Sequence, residues 1–180
     1  METDRRGHVM PAKKDCRLTK SDISRLASET RSKYFTSNNP MIGINNILSL
    51  LNGTVKTTRS EGGETLHIKD DGSFVITIPE TTSSVRDVFT IAHELGHYFL
   101  HTNLENPGEV AFNRKGSNLE ETQANWFAAS FLMPEDEFRE AAIKFNYDQR
   151  NIAAHFGVSG AAAGVRMSVL GLVQQQACNG

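Results

Sequence analysis

The pattern HExxH at residues 93–97 constrains this chain more than any other feature of its sequence. Apolar side chains recur at helical spacing from residue 85 to about 101, which predicts that the pattern lies on an amphipathic helix. On a helix, His93 and His97 project from one face, about 6 Å apart along the axis, so both imidazoles can reach one metal ion. Glu94 lies about 100° further round, where it can reach a water held by that ion. The pattern therefore predicts a hydrolytic zinc site with two histidine ligands and a glutamate as acid/base.

A third protein ligand is needed, because catalytic zinc sites usually hold three protein ligands and a water. His101 would lie about 12 Å along a continuous helix from His93, which is too far to share one ion. The last histidine of a metzincin pattern would fall at Asn103, so that class of peptidase is excluded. The better candidate is Glu121, on a second predicted helix from about 118 to 132. Asn125 lies one turn further on the same face, where it could hold the second nitrogen of a ligand histidine.

Each of these residues also has an ordinary structural interpretation. A five-residue pattern can occur by chance, and the acids at 120 and 121 could be solvated residues favoured by the start of a helix. Gly96 argues for a site, because glycine costs a helix about 1 kcal/mol relative to alanine and suits close approach by a neighbouring element. Glu120 lies a further 100° or so round its helix and suits the helix start better than the metal.

The whole sequence predicts one α+β domain. Residues 1–18 are predicted to form a flexible polar arm, residues 19–175 a single metallopeptidase domain, and residues 176–180 a tail. Short strands at 55–58, 65–68 and 74–78, the last two joined by Asp71-Gly72, predict a small antiparallel sheet ahead of the HExxH helix. The glutamate-bearing helix and further C-terminal helices follow, after a loop through 106–116. Residues 151–173 read as two short helices resembling a helix-turn-helix.

Composition restricts the class of protein, the compartment and the partners that we expect for such a domain. The 180 residues are 38% hydrophobic and 22% charged, which excludes a disordered chain. Apolar stretches fall far short of the ~20 residues that span a bilayer, so no membrane association is expected. The two cysteines form no CxxC pair, which fits a reducing cytoplasm. A net charge of −2 gives no electrostatic basis for direct nucleic-acid binding.

Two stretches of the sequence match a known family in combination. IAHELGHYFLH at 91–101 and ExxANxFAAxFLMP at 121–134, with a weaker match at 152–166, resemble the ImmA/IrrE family of metallopeptidases. The resemblance implies a zincin-like fold of the gluzincin type, with His93, His97 and Glu121 as zinc ligands and Glu94 as the catalytic acid/base. It also implies a protein substrate, a helix-turn-helix repressor of a phage, mobile element or stress regulon, whose cleavage relieves repression.

Several alternatives stay open at this point. The chain could bind a repressor without cutting it, or it could be a DNA-binding regulator in which zinc is structural. The predicted last helix carries only one basic residue, Arg166, which disfavours DNA recognition. Manganese or another divalent metal could replace zinc. The strand at 74–78 could pair with an extended substrate. No residue is selected to stabilise the oxyanion; the candidates are His67, Tyr98, His101, Tyr147 and His155.

Overall fold

The computed structural model describes residues 18–35, 40–59, 65–81, 83–102, 110–113 and 118–172. Within these ranges it contains seven helices and four strands. In chain order they are α1 (Lys20–Tyr34), α2 (Pro40–Leu50), β1 (Gly53–Thr58), β2 (Thr65–Ile68), β3 (Phe74–Pro79), α3 (Ser84–His101), β4 (Val110–Asn113), α4 (Asn118–Leu132), α5 (Glu135–Lys144), α6 (Gln149–Phe156) and α7 (Gly160–Val169). The predicted tail, and the predicted arm apart from residue 18, lie outside the described residues.

The α+β class is confirmed, but the sheet is mixed rather than antiparallel. Its strand order is β1-β3-β2-β4. β2 and β3 form the predicted hairpin, whose turn places Gly72 at a φ of 79°, a left-handed conformation that glycine adopts without a steric penalty. β1 lies on the far side of β3 and runs parallel to it. The prediction of an antiparallel sheet was therefore wrong for this pair, because the hairpin folds back with β3, not β2, beside β1.

Two further expectations about the sheet were wrong. Part of the segment predicted as a loop forms β4, which pairs antiparallel with β2 at one edge. A strand of four residues shows little periodicity, so only its long-range partner reveals it. β3 lies between β1 and β2 and is hydrogen-bonded on both sides. It therefore has no free edge for a substrate strand; of the four described strands, β1 and β4 lie at the edges of the sheet.

Helix α3 packs on the sheet and carries the HExxH pattern into the core. The side chains of Phe74, Ile76 and Ile78 alternate inward along β3 and are buried. The ring of Tyr98 from α3 lies against Phe74, with centroids 4.5 Å apart. Residues 90–98 of α3 are all buried, so this helix lies between the sheet and α4.

The C-terminal helices complete the core behind α4. Phe138 of α5 stacks on Phe156 of α6, with ring centroids 5.4 Å apart. Ser159 caps α7 by accepting a hydrogen bond from the Ala162 amide. Arg166 of α7 donates from Nε to the Met133 carbonyl at the end of α4. In the part of the chain that the structure describes, no helix combines the length and apolarity needed to cross a bilayer.

Candidate metal centre

Three side chains from α3 and α4 converge on one point between the two helices. His93 Nε2 lies 3.1 Å from His97 Nε2. The Glu121 carboxylate completes a triangle, with Oε2 3.3 Å from His93 Nε2 and Oε1 3.2 Å from His97 Nε2. Among the described residues these three form a cluster that could hold a metal ion. The structure thus brings together the three residues selected from the sequence as ligands.

The dimensions and chemistry of this triangle fit a small divalent cation. Ligand atoms about 2.0–2.1 Å from a tetrahedral zinc ion lie about 3.3 Å from one another. The three edges, at 3.1–3.3 Å, therefore match the spacing of three ligand atoms around one such ion. Two imidazole lone pairs and a carboxylate also repel one another at this distance unless a positive charge lies among them. Imidazole and carboxylate together suit zinc among the divalent metals.

Asn125 supports the first histidine from one turn along α4. Its Oδ1 lies 3.0 Å from His93 Nδ1. An amide oxygen only accepts, so neutral His93 carries its proton on Nδ1 and its Nε2 is unprotonated. This is the tautomer that a ligand needs, and a hydrogen bond of this kind also fixes the plane of the ring.

His97 is held by a longer chain of hydrogen bonds that the sequence analysis missed. Its Nδ1 lies 3.1 Å from His101 Nδ1, His101 Nε2 lies 3.0 Å from Gln123 Oε1, and Gln123 Nε2 donates to the Leu18 carbonyl at 3.2 Å. Because the Leu18 carbonyl and Gln123 Oε1 only accept, each proton has one consistent position. His101 then carries its proton on Nε2 and accepts from His97 Nδ1, which leaves His97 Nε2 unprotonated, as in a metal ligand.

The sequence partly indicated this series of hydrogen bonds. His101 lies four residues after His97, so the two share a helix face, and rejecting it as a ligand left a supporting role available. Gln123 gave no comparable signal, because its partner depends on how α4 lies against α3. Gln123 is fully buried, as a side chain with both ends satisfied can be.

Burial keeps His97 in the neutral form that binds metal. Desolvation lowers the pKa of His97 to about 3, and the nearby rings of His93 and His101 act in the same direction. Burial likewise lowers the pKa of His101, against the opposing effect of its hydrogen bond to Gln123. Neutral imidazole is the ligand form, so the protein holds the histidines ready for a cation without a prior proton loss.

Glu94 is a buried acid next in sequence to the triangle's first histidine, and it is not one of the three members of the triangle. It follows His93 on α3, so its side chain is rotated by about 100° from that ligand. Only 3% of its surface is exposed. A carboxylate held out of bulk water beside a metal position is suited to accept a proton from a water there.

Close contact between α3 and α4 is what joins the ligands. A Cβ atom built on Gly96 would lie 3.0 Å from Ala124 Cα and 3.1 Å from the Ala124 carbonyl oxygen, both backbone atoms. The absence of a side chain at Gly96 and the small side chains at Ala124 and Ala128 therefore let the helices approach. This approach allows Glu121, on the first turn of α4, to reach the histidines of α3.

Three of the five candidates for the oxyanion role have contacts that suggest other roles. Tyr98 packs on Phe74, and His155 lies between the rings of Phe145 and Phe156. His101 lies behind His97, on the nitrogen away from the triangle. These positions give the three residues packing or supporting roles.

Comparison with known proteins agrees with this arrangement. The family model described as the IrrE N-terminal-like domain, a peptidase family, matches residues 54–168. The metallopeptidase ImmA of Bacillus subtilis is 31% identical over 106 residues, which cover 58% of this chain and 62% of that protein. A Mycobacterium tuberculosis transcriptional regulator superposes with a TM-score of 0.60 at 18% identity, over 82% of this chain and 47% of that one. The last likeness concerns the fold alone, and this chain matches less than two thirds of either relative's length.

The family match covers more than half of the chain and includes the metal cluster, Glu94 and Asn125. The two helices that build the site therefore lie within the matched region. This chain belongs to the IrrE N-terminal-like domain family of peptidases.

Proposed function

We propose that this chain is a zinc-dependent endopeptidase that cuts a helix-turn-helix transcriptional repressor. The observation that carries the proposal is the triangle of His93, His97 and Glu121 donor atoms, together with the buried acid Glu94 next to His93 in the sequence. Three protein ligands leave one tetrahedral position for water or substrate, which is the arrangement of catalytic rather than structural zinc.

The roles of the chain's own residues follow from their positions. Zinc held by the three ligands would supply Lewis acidity, polarising a substrate carbonyl and lowering the pKa of water towards 7. Glu94 takes the proton of the attacking water and passes it to the leaving amine as the peptide bond breaks. Asn125 keeps the His93 imidazole oriented, and the hydrogen bonds through His101 to Gln123 do the same for His97.

Two things support a repressor as the substrate: the family resemblance and the name of a structure that shares the fold. The resemblance to ImmA/IrrE proteins implies a substrate of this kind, and the M. tuberculosis structure that shares the fold is named a transcriptional regulator. Cleavage of a repressor is a way for a peptidase to regulate transcription without touching DNA.

The surface of helix α7 is poorly suited to binding DNA. Its one basic residue, Arg166, is 5% exposed and bonded to a backbone carbonyl. The exposed positions of this helix are alanine, valine and serine, at Ala161, Val165, Ser168 and Val169. Recognition helices need cationic or amide side chains at their surface for phosphates and base edges. This face therefore argues for a peptidase with a protein partner over a DNA-binding regulator.

The experiment is to incubate the zinc-loaded chain with repressors encoded by neighbouring genes and to read intact masses with and without a chelator. We expect one repressor to be cut at a defined bond, and the chelator to stop cleavage. A reporter for the same repressor separates cutting from simple binding. If wild type and Glu94→Gln relieve repression equally well, the chain acts as a non-proteolytic anti-repressor.

A further inference from the structure

A large groove runs beside the candidate metal centre, between α3, α4 and α7. Its volume is about 710 Å³. The groove is mostly apolar, and its walls include Phe89, Trp126, Met133, Val165 and Val169. Val165 is 66% exposed and Val169 48% exposed, which is unusual for valine on a helix that belongs to a core.

The groove reaches the metal centre through a shared residue. Asn125 lines the groove and also holds His93 Nδ1 at 3.0 Å. Thr90, which lies one turn before His93 on α3, lines it as well. A peptide bound in the groove would therefore lie next to His93.

The charge of the groove is one-sided. Three basic residues line it, Lys20, Arg86 and Arg166, and no acidic residue does among the residues that the structure describes. The chain as a whole has more acids than bases, 21 against 19, so this imbalance is local. Positive walls around an apolar floor match a ligand with apolar side chains and negative charge.

Arg166 provides the most specific feature. It is 95% buried, its Nε donates to the Met133 carbonyl, and its Nη2 has no hydrogen-bond partner among the described residues. A guanidinium is always charged, and leaving one of its donors buried without an acceptor is unfavourable. A carboxylate bound in the groove would lie close to this buried positive charge and be attracted to it.

We propose that this groove receives an apolar, acid-bearing segment of the protein substrate and so selects which chain is presented at the metal centre. The proposal rests on the proposed function in assuming that the bound partner is the one cut. A peptide fits better than nucleic acid, because Lys20 and Arg86 are the only surface cations among the described residues that line the groove, and its floor is aromatic and aliphatic.

The test measures binding separately from cleavage, with the zinc-loaded Glu94→Gln variant. The probes are three short fluorescein-labelled peptides with the same Leu-Phe-Leu core, flanked by glutamates, by serines or by lysines, read by fluorescence anisotropy. We expect the glutamate-flanked peptide to bind about ten-fold tighter than the lysine-flanked one, and the difference to shrink at high salt.

Two matched pairs of variants locate the binding site. Ala161→Trp fills the groove from an exposed position of α7, and its control Ala154→Trp alters an equally exposed alanine of α6 that does not line it. Lys20→Glu reverses one wall charge, and its control Lys56→Glu reverses an exposed lysine of β1. We expect each groove variant to weaken the glutamate-flanked peptide about ten-fold and each control to leave it unchanged.

Several other outcomes would overturn the proposal, each in a distinct way, and the last one separates it from the proposed function. Equal binding of the three peptides removes the charge selection, and equal loss in Ala154→Trp removes the groove. Absence of binding by all three peptides, or tighter binding of single-stranded DNA than of any of them, rejects the peptide partner. A concentration-dependent dimer abolished by Ala161→Trp assigns the groove to a second copy of this chain. If peptides bind as expected but wild type cuts no repressor, the groove stands and the proposed function fails.

Discussion

Asn125 Oδ1 lies 3.0 Å from His93 Nδ1, although the two residues are 32 positions apart in the chain. The bond crosses from α4 to α3 beside the triangle of donor atoms. It fixes the tautomer of His93 and ties the ligand to the helix that carries Glu121. The geometry of the metal centre thus depends on the packing of two helices as much as on the ligands themselves.

Replacing Asn125 should weaken metal binding without removing a ligand. We expect Asn125→Ala to lower zinc affinity by about 10–100-fold, because His93 loses the acceptor that orients it. Asn125→Asp keeps an acceptor at the same place and should retain most of the affinity. Competition with a chromophoric chelator measures both variants. Equal affinities for the alanine variant and wild type would show that the bond to His93 does not orient it.

Removing Glu121 should have a larger effect. Glu121→Ala leaves only the two histidines of the triangle as ligands. We therefore expect zinc affinity to fall by more than roughly 100-fold, which is the largest effect expected when a supporting residue is lost. Glu120→Ala changes the neighbouring acid, which is not part of the donor triangle, and serves as the control. Metal analysis after gel filtration gives the occupancy. Full occupancy in Glu121→Ala would reject it as the third ligand.

Glu94→Gln should separate chemistry from metal binding. The amide cannot take a proton from water, so we expect kcat for repressor cleavage to fall by about 10²–10⁴-fold while zinc stays bound. Glu140→Gln, an exposed acid on α5, should leave kcat unchanged. Cleavage at the wild-type rate by the Glu94 variant would remove this residue from the mechanism.

Gly96→Ala should destabilise the fold even though alanine favours helices. The gain in helix propensity is about 1 kcal/mol, but the new Cβ meets the backbone of Ala124 at 3.0 Å, where overpacking costs about 1–3 kcal/mol. We expect a lower free energy of unfolding in urea and weaker zinc binding, because α4 moves away from α3.

The control for this change is Gly160→Ala at the start of α7. A Cβ there meets only Gln149 Nε2 at 3.8 Å, which is an ordinary contact. Its free energy of unfolding should match or slightly exceed that of wild type. A Gly96 variant as stable as this control would show that the helices do not need the close approach.

Zinc should stabilise the folded chain, because the donor atoms converge only when α3 and α4 are packed. At free zinc about 1,000 times Kd, we expect about 4 kcal/mol of added stability. Thermal melts with and without chelator measure the shift, and Glu121→Ala should show little of it. An identical melting temperature of wild type in both conditions would contradict a metal site of useful affinity.

Much of the site could be predicted from the sequence because its signals are local. His93 and His97 are four residues apart on one amphipathic helix, so helical geometry alone places them on one face. Glu121 and Asn125 share a face of α4 for the same reason. Gly96 already indicated a close approach by a neighbouring element, although not its direction.

What the tertiary structure decided depends on partners far apart in the chain. The parallel pairing of β1 with β3 and the presence of β4 required knowledge of which strands meet, because short strands carry little information in their own residues. The bonds from His97 through His101 and Gln123 to the Leu18 carbonyl join α3, α4 and the start of α1. The groove and the burial of Arg166 depend on where α7 lies relative to the end of α4. The sequence alone therefore predicted the candidate ligands and the candidate acid/base, since helix geometry is local, whereas long-range packing determined how these side chains are oriented and what lies beside them.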